Sequence, residues 1–241
     1  MKVWGIILIV LVCSLCLSEQ EEEKSITGEK EPEESIAKTV TGTETPEKSI
    51  TKTITETKVS ESFTDIEKAR ELLGETVSIK GVVTAPPGIF REDVMYIQDS
   101  TAGIKVYSMV LNDLDIKLGD IVKIEGVTDR YYENIEIKFL KTEKISILGN
   151  ETPYPFSLSI KEAKNREGSF IAIEGTVTKV YNNKFYIRDE SDEIIVYIDK
   201  DTGISINIKT GDRVKVSGVI SQYNEDIEIL PRYDEDIQLI D

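Results

Sequence analysis

The side chains that most often carry catalysis are nearly missing from this sequence. It has 241 residues, no histidine and only two cysteines, Cys13 and Cys16, which lie in an apolar run near the start. The lack of histidine excludes Ser-His-Asp and Cys-His catalysis and histidine-ligated zinc or haem. No glycine-rich phosphate loop is present. The sequence therefore predicts a protein that is not an enzyme and has no cofactor and no metal site.

One acidic run has the side chains that calcium binds. Residues 189–193 read Asp-Glu-Ser-Asp-Glu, and calcium takes carboxylate oxygen ligands. A related segment at residues 99–103 keeps only one of these carboxylates, Asp99. A solvated turn is therefore favoured over a cation site, with Asp99 and Asp189 hydrogen-bonding to the backbone of their own turns.

The N-terminal residues 1–18 are typical of a targeting segment. Met1 and Lys2 precede fifteen uncharged residues, 3–17, a run shorter than the ~18–20 residues of a comfortable membrane span. The segment is interpreted as a cleaved signal peptide, or as a membrane or lipid anchor with Cys16 or Cys13 as the candidate lipidated residue. Either alternative predicts an extracytoplasmic protein that is secreted or attached to the membrane through this segment.

Residues 19–61 differ from the segments on either side. They are rich in Glu, Thr, Lys and Ser and contain no aromatic residue. Such a composition buries too little apolar surface to offset the entropy of ordering the chain. The segment is therefore predicted to be a disordered tether.

The remaining chain contains one module twice. Residues 117–137 match residues 209–229 at 12 of 21 positions, an offset of 92, and weaker matches continue upstream at offsets of 90 and 94. The two modules are predicted to occupy residues 62–148 and 156–241, joined by a linker of residues 149–155 that contains two prolines. Each module is predicted to form a short helix and then five strands, because apolar residues alternate over short stretches between turn residues. In the first module the helix is expected at 65–73 and the strands at 76–84, 94–98, 103–107, 121–127 and 134–139.

Several motifs recur in the same order in both modules. They are Ile-x-x-Ala, Ile-x-Gly-x-Val-Thr, Tyr-Ile-x-Asp, Ile-x-Val-Tyr and Gly-Asp-x-Val-Lys. This order resembles the OB-fold, and it is similar to OB modules that occur in tandem, or appended to nucleases and phosphoesterases, in secreted prokaryotic proteins. The resemblance implies an all-β chain of two tandem OB-fold-like five-stranded barrels, each preceded by a short helix.

The resemblance also implies a ligand face. OB-folds commonly bind oligonucleotides and oligosaccharides on strands two and three. Alternation along these strands turns one set of side chains outward, and these are the candidate binding residues: Tyr96, Gln98, Lys105 and Tyr107 in the first module, with Tyr186, Arg188 and Tyr197 in the second. The alternative is that the tyrosines form cross-strand pairs that only stabilise the sheet.

Net charge bears on the class of ligand. The chain has a formal net charge of -16, and both modules are acidic: residues 62–150 hold 11 basic and 15 acidic side chains, and residues 151–241 hold 11 and 18. Proteins that bind single strands normally present a basic groove. The sequence thus favours a non-catalytic extracytoplasmic adaptor for a surface protein or glycan, over the alternative of an oligonucleotide-binding protein accessory to a nuclease. Asn150, followed by Glu and Thr, is a candidate N-glycosylation site.

Overall fold

The structure is a computed structural model, and it describes residues 62–205 and 207–241. The predicted leader, with Cys13 and Cys16, and the predicted tether lie outside the described residues. Within the described ranges, no helix is long and apolar enough to cross a membrane.

The first module folds into a closed barrel of five strands with a sixth strand at its edge. The strands follow the order β1-β2-β3-β5-β4-β6, and antiparallel pairing of β1 with β4 closes the barrel. Strands β3 and β5 are parallel and the other neighbours are antiparallel. The elements are α1 (Ile66–Ala69), β1 (Thr76–Ala85), β2 (Val94–Gln98), β3 (Gly103–Tyr107), β4 (Asp120–Tyr131), β5 (Asn134–Lys138) and β6 (Ile145–Asn150).

The second module repeats this topology. Its strands follow the order β13-β11-β12-β10-β9-β8-β7, and pairing of β11 with β8 closes the barrel. The elements are β7 (Phe156–Ser157), α2 (Ile160–Ala163), β8 (Phe170–Val180), β9 (Lys184–Arg188), β10 (Glu193–Tyr197), β11 (Arg213–Tyr223), β12 (Asp226–Leu230) and β13 (Ile237–Leu239). The predicted fold of two tandem five-stranded barrels is confirmed, although each helix is a single turn and so shorter than expected.

Each barrel is filled by the side chains that alternation places inside. In the first barrel, Met95 and Ile97 of β2 meet Ile104 and Val106 of β3 in one apolar core, and all four are fully buried. Helix α1 adds Ile66 and Ala69 to the same core. The turn after β2 holds this helix in place, because the Ile66 N–H donates to Asp99 at 2.8 Å. The second barrel repeats the contact between Ile160 and Asp189.

The two barrels also share an apolar cluster. It consists of Ala85, Phe90, Val94 and Tyr96 from the first barrel with Val219 and Leu230 from the second. The shared cluster covers the outer face of β1 and β2, which a lone barrel would leave in water. Burial of apolar area contributes about 25 cal/mol per Å², so this cluster favours docking of the barrels.

Polar contacts surround the shared cluster. The Gln98 side chain accepts a hydrogen bond from the Phe170 N–H at 2.7 Å. The Arg232 guanidinium forms an ion pair with Asp236 at 2.8 Å, donates to the Thr84 carbonyl and lies 3.7 Å from the Phe170 ring centroid. Buried polar groups are costly unless they are hydrogen-bonded, so these pairings select one docked arrangement.

Gly103 is the point of closest approach between the barrels. Its N–H donates to the Ser169 hydroxyl at 2.8 Å. A Cβ placed on Gly103 would lie 2.3 Å from the Gly168 carbonyl oxygen and 2.4 Å from the Ser169 Cα, and backbone atoms cannot yield cheaply. The equivalent residue of the second module is Glu193, so this strand position itself accepts a side chain.

We therefore expect Gly103→Glu to separate the barrels while each barrel keeps its strands. Overpacking typically costs ~1–3 kcal/mol, and here the added atoms would meet backbone. Thermal unfolding should change from one transition to two, and the radius of gyration from X-ray scattering should increase.

Gly149→Glu is the matched control for this substitution. A Cβ at Gly149 meets only a methyl group of Ile121, at 3.7 Å, and the residue is exposed. The control adds the same charge and should unfold as the natural chain does. A single unchanged transition in Gly103→Glu would contradict the expectation.

Candidate functional site

The first barrel does not leave all of its predicted ligand face open. Tyr96 and Gln98 point outward from β2, as alternation predicts, but they are only 5% and 6% exposed because the second barrel covers them. The Tyr96 hydroxyl contacts Ser221 of that barrel, and burial raises the pKa of this phenol. The expectation that Tyr96 and Gln98 lie on an open surface is therefore wrong, because a lone module does not reveal that its neighbour docks on this face.

The other two predicted residues of the first barrel lie together in a pocket. Lys105 and Tyr107 of β3 line a cavity of about 220 Å³ whose remaining walls come from the loop before β2 and from the strands beside β3. We call this cavity the first-barrel pocket. Its lining residues are Arg91, Val94, Lys105, Tyr107, Tyr131, Glu136 and Lys138.

Each cation of the first-barrel pocket is held by a carboxylate. Glu136 is buried and lies between two lysines, 2.7 Å from the Lys105 Nζ and 3.1 Å from the Lys138 Nζ. Lys138 also donates a hydrogen bond to the Asp129 carboxylate at 2.7 Å, and this bond raises the pKa of the lysine. Arg91 pairs with Asp93 at 2.7 Å. The ion pairs fix the positions of the cations in the pocket.

Two tyrosine rings lie beside these cations. The Lys105 Nζ lies 5.0 Å from the centroid of the Tyr131 ring, and the Lys138 Nζ lies 5.9 Å from that of Tyr107. Tyr131 is 51% exposed, so much of its ring remains in water. Both distances are within the ~6 Å at which a cation is attracted to an aromatic face. The pocket thus presents aromatic surface and positive charge together, which suits a planar ligand that carries negative charge.

Arg91, Tyr131 and Lys138 were missed by sequence reasoning. Alternation along β2 and β3 indicates which of their own residues face outward, but it does not indicate which strand lies alongside. In the structure β5 runs parallel to β3, so that Lys105 is opposite Glu136 and Tyr107 is opposite Lys138. The strand order of an OB-fold was the signal that could have placed these residues.

The second barrel does not assemble an equivalent pocket. The centroid of the Tyr186 ring lies 4.9 Å from the Lys179 Nζ and 6.0 Å from the Lys184 Nζ. Tyr186 also lines a cavity in which three side chains are acidic, Glu193, Glu225 and Asp226, and one is basic, Lys164. Arg188 is exposed and pairs with Glu193 at 2.6 Å. Tyr197 packs against the shared cluster instead, so the three predicted residues of this barrel are not brought together.

The remaining candidate residues are in structured turns. Asn150 ends β6, and its amide donates to the Asp120 carboxylate at 3.2 Å. The Asp189 carboxylate accepts hydrogen bonds from the backbone N–H groups of residues 191 and 192, at 2.7 and 2.9 Å. The Asp99 carboxylate accepts the equivalent bonds from residues 101 and 102, at 2.7 and 3.0 Å, as expected of turn residues. In the part of the chain that the structure describes, no three acidic, histidine or cysteine side chains are grouped so as to hold a metal ion.

Comparisons with known proteins were made for sequence and for structure. No protein-family model matches the chain. The chain is similar to the Endonuclease YhcR of Bacillus subtilis (strain 168), with 26% identity over 199 residues. This alignment covers 76% of the chain but only 16% of the endonuclease, so the chain spans a small part of that protein's length.

Among solved structures, the chain is similar to the telomere capping protein Ten1 from Saccharomyces pombe. The identity is 15%, the coverage is 36% of this chain and 81% of Ten1, and the TM-score is 0.28. A murine DNA-binding protein bound with double-stranded DNA is 14% identical, over 64% of this chain and 90% of that one, with a TM-score of 0.35. The HINb domain of p204 is 13% identical, over 69% of this chain and 96% of that domain's chain, with a TM-score of 0.34. Similarity at these TM-scores supports no argument about the ligand.

Glu136 and its repeat equivalent Glu228 provide a test of the pocket electrostatics. Glu228 faces Ile195 where Glu136 faces Lys105, and burial together with the charge of Asp226 raises the pKa of Glu228 to about 7. The folded state therefore opposes ionisation of Glu228, and stability falls as the pH rises from the ordinary carboxyl pKa through 7. Glu228→Gln should raise the melting temperature at pH 8, with a gain that shrinks below pH 7 and vanishes near pH 4.

The substitution Glu136→Gln should act in the opposite direction. It leaves Lys105 and Lys138 without the carboxylate between them, and the loss should cost about 1–3 kcal/mol at pH 8. Melting curves of both variants between pH 4 and pH 8 check the pair. Two variants with the same sign of effect at pH 8 would contradict this account.

Proposed function

We propose that this chain is a non-catalytic module that binds single-stranded nucleic acid in the first-barrel pocket. The observation that carries the proposal is the combination of Arg91, Lys105 and Lys138 with the rings of Tyr107 and Tyr131 on one OB-fold face. Stacking of a base on an aromatic ring contributes ~1–3 kcal/mol and requires an unpaired base. The nearby cations suit the phosphate that follows that base.

The net charge of -16 does not decide against this ligand at contact distance. At physiological ionic strength the Debye length is about 8 Å, so distant acidic residues are largely screened. The groups close to the pocket determine contact binding. They are the cations Arg91, Lys105 and Lys138 and the carboxylates that pair with them, so the local charge is balanced where the chain as a whole is acidic. The net charge acts mainly on the rate of encounter, because long-range repulsion slows the approach of a polyanion.

The relative named Endonuclease YhcR supports the same ligand class, since an endonuclease acts on nucleic acid. The chain aligns with 16% of that protein and has no histidine, so we propose that it assists such an enzyme and does not cut the strand itself. The sequence favoured a surface protein or glycan as ligand, and that hypothesis rested on the net charge and on the predicted extracytoplasmic location. The composition of the pocket and the relative now favour the oligonucleotide.

We further propose that the protein works outside the cytoplasmic membrane. The support is the uncharged run of residues 3–17 after Met1 and Lys2, followed by the polar segment of residues 19–61. Extracytoplasmic nucleic acid would then be the ligand.

Removal of the exposed ring of the pocket should weaken binding without unfolding the barrel. Tyr131→Ala should reduce the affinity for a short oligo-dT strand by roughly 5- to 150-fold, the equivalent of ~1–3 kcal/mol. Its melting temperature should remain within a degree or two, because the side chain is half exposed. Fluorescence anisotropy with a labelled strand measures the affinity.

Tyr223→Ala is the matched control for the ring. Tyr223 occupies the repeat position of Tyr131, ends the corresponding strand and is 69% exposed, but it belongs to the barrel without the pocket. This variant should bind as the natural chain does. An equal loss in both variants would show that the pocket is not the site, and the absence of salt-dependent binding by the natural chain would refute the proposed function.

Cell fractionation tests the proposed location. The full chain, expressed in a bacterium, should be found in the membrane or secreted fraction, and a variant with Asp replacing two residues of the 3–17 run should remain in the cytoplasm. A natural chain found in the cytoplasmic fraction would show that the leader has been misinterpreted.

A further inference from the structure

The first-barrel pocket is built on the contact between the barrels. Val94 lines the pocket and also belongs to the shared cluster, and Tyr107 packs against that cluster. Arg91 follows Phe90, whose ring lies edge-on to Tyr96 at 6.0 Å between centroids. Three elements of the pocket wall are therefore supported by side chains that the second barrel covers.

The second barrel also contacts the floor of the pocket. The carboxylate of Glu167 accepts a hydrogen bond from the Ile135 N–H at 3.3 Å, and Ile135 precedes the floor residue Glu136. The same oxygen pairs with Arg70 at 2.6 Å. A side chain of the second barrel thus fixes the backbone of β5 where it supplies Glu136 and Lys138.

The second barrel has different residues at the positions of the pocket cations. By the repeat offsets, Tyr181, Ile195 and Leu230 stand where the first barrel has Arg91, Lys105 and Lys138. Leu230 is 8% exposed and lies in the shared cluster. In the second barrel the position equivalent to Lys138 is therefore part of the docking contact.

We propose that the chain has one nucleic-acid site, and that the second barrel positions this site without binding a strand of its own. The inference rests on the proposed function of the first-barrel pocket. Leu230, Val219 and Glu167 are then positioning residues, because they touch the supports of the pocket and lie outside its lining.

Docking and binding are coupled in this arrangement. If only the docked form has a complete pocket, the apparent affinity falls in proportion to the docked fraction, and a bound strand in turn favours docking. A substitution that separates the barrels should weaken binding but leave the charges at the site unchanged. The slope of log affinity against log salt concentration should therefore equal that of the natural chain, because this slope reports the number of phosphates that the protein neutralises.

The test compares two variants that separate the barrels with one that alters a contact. Gly103→Gln acts from the first barrel and Leu230→Ala from the second, and neither residue lines the pocket. A neutral side chain is used at position 103 because this residue lies two residues from Lys105 on the same face of β3. Both should weaken oligo-dT binding at least tenfold with an unchanged salt slope. Lys138→Ala should weaken binding and also lower the slope, by about 0.7–1. Gly149→Gln is the matched control and should bind normally.

Isothermal titration of the full chain should give one short strand per chain. Two strands per chain would overturn the inference, and so would full affinity in a Gly103→Gln variant whose barrels scattering shows to be apart. Either result would leave the proposed function intact. Failure of the natural chain to bind oligo-dT would instead refute the proposed function and the inference with it.

Discussion

The burial of one sheet face between two barrels determines which surfaces of this chain remain for a ligand. This contact excludes water from the side chains of Tyr96 and Gln98, and it buries the Arg232 guanidinium with them. Burial of such groups is favourable only when each has a partner. Here the partners of Gln98 and Arg232 come partly from the opposite barrel, so the docked arrangement is specific as well as apolar.

The repeat shows how one scaffold gives two electrostatic outcomes. Glu136 and Glu228 occupy the same position on parallel strand pairs, but only Glu136 has a lysine opposite. With Lys105 present, the carboxylate anchors cations at the surface. With Ile195 in its place, the carboxylate has a pKa of about 7. Two replacements thus separate the two outcomes: Ile195 stands in place of Lys105, and Leu230 in place of Lys138.

Local patterns in the sequence were sufficient to predict most of the fold. The alternation in β2 and β3 predicted the bounds of both strands as they lie, and β4 begins one residue earlier and ends four residues later than predicted. Docking could not be predicted, because it depends on two surfaces meeting and neither Tyr96 nor Gly103 differs locally from an exposed strand residue. The pocket was found in part: Lys105 and Tyr107 follow from alternation, whereas Tyr131 and Lys138 depend on the non-local pairing of β3 with β5.

The difference between Gly103 and Glu193 bears on whether a third barrel could dock in the same way. The first barrel receives the second where its third strand begins with Gly103, a residue that has no side chain. The second barrel has Glu193 there, with Arg188 at the position of Gln98, so its corresponding face cannot accept a third barrel in the same way. Gly103 therefore gives the pair of barrels a direction, because the contact that it makes is not repeated at Glu193.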